Sequence, residues 1–250
     1  MNNNLDYLNR VYLRIDLDKI CNNIKEVIKK VGDDTKVMAV VKADAYGHGA
    51  IEVSKALSEI GTYGFAVATV GEALALRRAG ITKPILILDF VFPNQFETII
   101  RNDIMLTIFR YEIAKELNEA AEQMGTTVHI HIKVDTGMGR IGFIPDEESV
   151  DEIRRISQLP NVEIDGIFTH FACADEADKT SMNKQFEKFK SFVKKLEEIG
   201  INIPIKHVCN SAAIIDSNDK FLNMVRSGII TYGLYPSEFV HKDRLHIEPA

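Results

Sequence analysis

Short apolar runs alternate with amphipathic stretches along most of this chain. The runs cover 36–41, 63–68, 84–88, 105–108, 128–134, 162–168, 205–208 and 221–225, and most are rich in Val and Ile. Segments of that length and composition predict strands buried on both faces, as in a parallel sheet. Between them apolar residues recur at helical spacing. Met182, Phe186, Phe189, Val193, Leu196 and Ile199 follow one another at intervals of three and four, as do Ala114, Leu117, Ala121 and Met124 before Gly125. Residues 72–79 predict a further helix stopped by Gly80, with Pro84 opening the next strand.

Repeated βα units require a parallel sheet with right-handed crossovers. Eight strand candidates, each but the last clearly followed by a helix, predict the α/β class and a (β/α)8 TIM-type barrel. A further strand at about 11–16 precedes the first helix, about 17–30, and lies outside that count. The expected organisation is an N-terminal strand segment over 1–16, a barrel over 17–235, and the start of another domain over 236–250.

Composition narrows the class without changing it. In 250 residues, 46% are hydrophobic and 26% charged, which is ordinary globular usage. The formal charge of −6 argues against a nucleic-acid binder, which usually carries a positive field for phosphates. Cys21, Cys173 and Cys209 are odd in number and show no paired spacing, which suits free thiols in a reducing compartment. The N-terminus has no apolar signal core, and no run reaches the roughly 20 apolar residues that span a bilayer. A soluble, cytoplasmic protein is expected, with no membrane partner.

Candidate chemistry gathers at the predicted C-terminal strand ends, where barrels of this type build their sites. Lys42 ends the first strand, residues 135–140 follow the fifth and His170 the sixth. Asn210 and Ser211 follow the seventh, and Arg226 the eighth. A lysine on a dry rim near other cations loses its charge easily and becomes a nucleophile able to form a Schiff base. The competing reading is an ordinary lysine with its head in solvent. On the fifth strand His129, His131, Lys133 and Asp135 alternate with apolar residues, so the polar set points into the lumen. His-x-His hints at a metal pair, but no third ligand is convincing, and a hydrogen-bond network is the expectation. Asn210–Ser211 opens a short helix beside Arg226–Ile229, where barrels often bind phosphate. A Schiff-base lysine with a phosphate cup at strands seven and eight points to pyridoxal 5'-phosphate.

The segment VVKADAYGHGA, with VDTGMGRIGF, IFTHFACAD, CNSAA and VRSGIITYGLYP in that order, resembles the alanine racemase family. The resemblance runs from about Leu13 to Pro249. It implies that Lys42 holds pyridoxal 5'-phosphate as an aldimine and serves as one of two catalytic bases. Tyr46, Ser211, Gly228 and Ile229 would contact the phosphate, and His170 and Asn210 would support the ring region. Arg226 would face the pyridine nitrogen, while Arg140 would lie near the phenolic oxygen and the substrate. A donor-only guanidinium leaves that nitrogen unprotonated, which suits racemisation better than decarboxylation. Lys133 matches a position that carries a carbamylated lysine in some members. No metal is expected.

The same resemblance implies a homodimer acting on alanine and supplying D-alanine for peptidoglycan. In the family a C-terminal β-domain follows the barrel and provides a tyrosine as the opposite-face base, and no residue here matches it. The 11–16 strand would pair with that missing domain. A barrel-only chain with little or no turnover is therefore expected. Alternatives are a single-domain barrel that handles pyridoxal phosphate without racemising, a racemase of serine or a basic amino acid, and a phosphate-binding barrel without covalent chemistry.

Overall fold

The computed structural model describes residues 11–250. The strands are β1 (Lys36–Val40), β2 (Gly64–Val67), β3 (Ile85–Ile87), β4 (Met105–Ile108), β5 (Val128–Lys133), β6 (Val162–Phe168), β7 (Ile205–His207) and β8 (Met224–Ser227). They pair in parallel in sequence order, and β1 returns to β8 with Met38 opposite Arg226, which closes the expected barrel.

The helices are α1 (Leu17–Val31), α2 (Ala50–Ser58), α3 (Val70–Arg78), α4 (Phe96–Arg101), α5 (Tyr111–Gln123), α6 (Glu147–Ser157), α7 (Thr180–Glu198) and α8 (Ser211–Asp216). After β8 the chain makes only two short 3-10 turns, Ile229–Tyr232 and Lys242–Arg244, so the outer ring lacks its last helix there. The first helix of the chain fills the place, packing on both α2 and the first of these turns. Asp16 caps α1 by accepting the Lys19 N–H at 3.1 Å, and Ile20, Ile24, Val27 and Val31 form its buried face. Asn23 joins this seam, donating to Thr231 O at 3.2 Å and to Glu248 O at 2.9 Å. Residues 236–250 turn back onto the same side, where Val240, Leu245 and Ile247 enter the outer core.

One expectation fails. Residues 11–16 form no strand, and the side chains of Val11 and Leu13 are 87% and 77% exposed. A β-strand exists only through a neighbouring strand, and no strand of the described residues pairs with this segment.

Alternation along each strand sorts the barrel into two layers. Residues such as Ile130, Ile132 and Val134 face the helices, while Met38, Val40, Ala66, Leu86, Met105, Ile205 and Met224 fill the lumen. Further along β5, β7 and β8 the lumen positions are instead polar and buried: His131, Lys133, His207 and Arg226. Stepping two residues beyond Val40, Phe168 and Arg226 reaches Lys42, His170 and Gly228 at the C-terminal rim. Space for the His131 ring comes from β6. The β5–β6 pairing shifts there, so that His131 lies opposite Gly166 and Asp165 is the unpaired residue. A Cβ on Gly166 would lie 2.3 Å from His131 Nδ1.

Candidate active site

The rim encloses a cavity of about 370 Å³, and the ten residues singled out by sequence all line it: Lys42, Tyr46, Lys133, Arg140, His170, Asn210, Ser211, Arg226, Gly228 and Ile229. Lys42 sits where β1 gives way to an unusual turn. Ala43, Asp44, Ala45 and Tyr46 have φ of 51°, 52°, 54° and 55°, one turn of left-handed helix built without glycine. Such residues cost about 1–2 kcal/mol each, so the surroundings must hold the turn in place. Buried Tyr232 supports it from below, with His48 stacked on its ring at 4.6 Å and Tyr46 tilted against it at 5.2 Å. The Tyr232 hydroxyl donates to Val40 O at 2.8 Å, and burial pushes that phenol well above its usual range.

Asp135 organises the opposite rim. Its carboxylate accepts the N–H groups of Gly137, Met138, Gly139 and Arg140 at 2.9, 2.8, 3.1 and 3.0 Å, wrapping the loop that carries Arg140. Burial opposes ionisation of this group, but the four donors outweigh it and hold the carboxyl below its ordinary value. Gln185 of α7 ties this loop to that of β6, donating to Thr136 Oγ1 and to His170 O at 3.1 Å each.

The floor is a relay of donors. Arg226 lies 3% exposed and donates to Thr169 O at 2.9 Å, to His207 O and Val208 O at 3.2 Å, and to His207 Nδ1 at 2.7 Å. A guanidinium only donates, so His207 Nδ1 must accept and its proton sits on Nε2. That Nε2 lies 2.9 Å from His131 Nδ1, which must then accept in turn. The network expected of the histidine segment therefore forms through His131. His129 points the other way, toward Asp165 at 3.1 Å and Glu163 at 3.9 Å.

Burial and the Arg226 charge depress all three inner histidines. His131 and His170 fall to about 3, with Arg140, Lys133 and Lys42 also acting on His170, and His207 lies well below its ordinary value. All are neutral in the folded protein near pH 7. The unfolded chain binds these protons near pH 6.5, so it holds more protons than the folded one between that pH and the folded values. Stability is therefore intact above pH 6.5 and lost as pH falls toward 3. The expected slope is about 1.4 kcal/mol per pH unit for each histidine involved. Denaturant unfolding at pH 7.5 and 5.0 checks this, and equal stabilities at the two values would contradict it.

Arg226 itself is lowered to about 10 by burial, with Arg140 adding to the shift and Cys209 opposing it, so it stays charged at neutral pH. Lys133 falls to about 7, first through burial and then through Arg226, with Asp135 opposing and Arg140 adding to the shift. Its ammonium donates to Val134 O at 3.0 Å.

The β7 and β8 loops make a small cradle. Ser211 Oγ accepts the Gly228 N–H at 3.0 Å, and a methyl on Gly228 would lie 3.3 Å from that oxygen and 3.4 Å from Tyr46 Oη. Asn210 caps α8, its side chain accepting from Ala213 N at 3.1 Å. Sequence reasoning placed Asp135 in the lumen-facing polar set without its loop-wrapping role, and assigned no site role to His207, Gln185 or Tyr232. Asp before a Gly-rich turn is a local signal for the first, and period-two continuation from Ile205 for the second. Gln185 and Tyr232 reach the site only through tertiary packing.

Comparison with known proteins agrees with this geometry. The family described as alanine racemase, N-terminal domain, matches residues 15–236. The alanine racemase of Methanococcus maripaludis is 54% identical over 240 residues, covering 96% of this chain and 64% of its own length. Alanine racemase of Clostridium difficile 630 in complex with cycloserine superposes with a TM-score of 0.93 at 47% identity, over 94% of this chain and 65% of that one. The Bacillus anthracis enzyme with bound L-Ala-P gives 0.89 at 36% identity, over 96% and 64%. The chain thus spans about two thirds of the length of these relatives. With that family matching most of the chain and the barrel closed as expected, the chain belongs to the alanine racemase N-terminal domain family.

Proposed function

We propose that this protein binds pyridoxal 5'-phosphate in the rim cavity and interconverts the L and D forms of a small amino acid, alanine being the one its relatives are named for. The observation that carries the reading is the meeting, in one cavity, of the Lys42 amine, a hydroxyl-lined cradle and the charged Arg226, whose described hydrogen-bond partners are carbonyls and histidines. The cofactor's phosphate suits the cradle, because a compact anion beside Gly228 meets both the Ser211 and the Tyr46 hydroxyls. When bound, pyridoxal phosphate supplies an aldehyde that captures amines and a ring that spreads the charge left on a deprotonated carbon.

The chain's own residues do the rest. Lys42 Nζ anchors the cofactor and takes or returns a proton at Cα on one face. Asn210, His170 and Ile229 border the ring and phosphate. With the group bound, Arg226 would offer a donor to the ring nitrogen, leave it unprotonated and so weaken the ring as an electron sink, which would favour simple proton return. Arg140 serves the phenolic oxygen and the substrate carboxylate. We also propose that Lys133 is carbamylated. With its pKa near 7, about half of this buried amine is neutral at that pH: the ammonium gives up one proton, the free amine adds CO2 and loses a second, and a +1 group becomes −1 beside Arg140. A 13C-bicarbonate NMR signal that disappears in Lys133→Ala is the expected result, and its absence from the parent protein counts against the modification.

Two-base racemisation needs a proton donor on each face of the planar carbon. We assign one of these faces to Lys42, in a homodimeric racemase. D-alanine supply for peptidoglycan in the cytoplasm is the role that follows. The deciding experiment is borohydride reduction of the protein incubated with pyridoxal phosphate, followed by peptide mapping. A pyridoxyl group on the Lys42 peptide is expected. A folded chain without that adduct overturns the cofactor reading.

A further inference from the structure

The left-handed turn after Lys42 is held from the far side by a residue outside the cavity. Glu72, in the first turn of α3, accepts the Ala43 N–H on Oε1 at 2.8 Å. Its Oε2 accepts the Ala68 N–H at 2.7 Å and the Thr69 N–H at 3.1 Å. The Thr69 contact is half of a capping box, in which Thr69 Oγ1 accepts the Glu72 N–H at 3.2 Å. The bonds to Ala43 and Ala68 lie outside the box. They tie the end of β2 to the first left-handed residue, directly after Lys42.

We propose that Glu72 is a positioning residue for Lys42. Its carboxylate bridges the rim of β2 and the left-handed turn, and so sets the direction from which Lys42 and Tyr46 enter the cavity. This rests on the reading of Lys42 as the cofactor lysine. A strained turn adopts one orientation only while its contacts over-determine it. The second clamp, the Ala50 N–H donated to Asp44 Oδ1 at 2.7 Å, holds the middle of the turn and leaves its start to Glu72.

The bridge needs an acceptor at both ends. Glutamine fits the same space but offers one carbonyl oxygen and one donor-only NH2. In Glu72→Gln either the Ala43 N–H or the Ala68 and Thr69 pair must face an NH2 group. Thr69→Ala removes the capping hydroxyl while leaving all three bonds to the carboxylate available, and so serves as the control for a merely loosened helix.

The test uses the full chain and two readouts: the pyridoxal phosphate dissociation constant by absorbance titration, and amide hydrogen exchange of the cofactor-free protein at residues 43–46. Glu72→Gln is expected to weaken cofactor binding about tenfold or more and to speed exchange at those residues, since small misplacements of a reacting group carry losses of that size. Thr69→Ala is expected to leave both nearly unchanged. Glu72→Asp, one methylene shorter and able to reach only one side, is expected to repeat the loss and stands in should the glutamine variant fail to fold. Unchanged binding and exchange in Glu72→Gln overturn the proposal, as does an equal loss in Thr69→Ala. Failure of the cofactor reading is distinguishable. The unsubstituted protein then takes no adduct at Lys42, while exchange at 43–46 still reports the bridge.

Discussion

Lys42→Ala is expected to lose the borohydride-stable pyridoxyl adduct entirely and, in a racemising full-length protein, to lower turnover by at least about a thousandfold. Two lysines line the cavity, so which of them reacts is an open contest of chemistry against access. Lys133 is easily deprotonated, with its pKa brought down to about 7. It is also 2% exposed, and its amine donates to Val134 O at 3.0 Å below the rim. Lys42 is half-buried at the mouth, within reach of the Ser211 and Gly228 cradle that suits the phosphate. Access therefore decides, and the label is expected on Lys42 alone. Because that side chain contributes little to the core, Lys42→Ala keeps the thermal midpoint of the parent protein. Peptide mapping of the reduced protein reads the result directly. A parent adduct on Lys133, or an adduct that survives in Lys42→Ala, would reverse the assignment.

Arg226→Ala is expected to cost about 2–4 kcal/mol of stability at pH 7.5 and to flatten its dependence on acid. The guanidinium satisfies three carbonyl oxygens and His207 Nδ1 in the barrel floor. Removing it strands acceptors in a space sealed from water, each worth about 1–3 kcal/mol when left unpaired. Relief of the buried charge offsets part of that loss, which keeps the net below the sum. The same charge helps to depress His131, His170 and His207. Without it their folded values rise toward 6.5, fewer protons are taken up on unfolding, and the fall in stability between pH 7.5 and 5.0 becomes shallower. Denaturant unfolding of parent and variant at both pH values tests both halves. An equally stable variant, or one with the parent's acid slope, contradicts the account of the floor.

The strand pattern was legible because a buried parallel strand leaves a local trace, a short apolar run between turn residues. β4 and β6 match their predicted runs of 105–108 and 162–168. The lower half of the site was legible for a related reason. Alternation places every second residue of a barrel strand in the lumen, so the polar positions of HIHIKVD announced themselves against Ile and Val. The 11–16 segment misled because an apolar alternating stretch signals a strand only where a partner completes its hydrogen bonds, and partnership is not a local property.

The sequence by itself determined the eightfold βα rhythm, the alternation that turns Lys42, Lys133, His170 and Arg226 toward one cavity, and the family to which they belong. All of these depend on residue identity and periodicity along the chain. Only the tertiary structure decided that α1 fills the place after β8 and that Gly166 makes room for His131. The tautomers of His131 and His207, and the reach of Glu72 past its own capping box to Ala43, were decided there too. Each of these rests on the distance between groups far apart in sequence, and hydrogen bonds, close packing and shifted pKa values act across that distance.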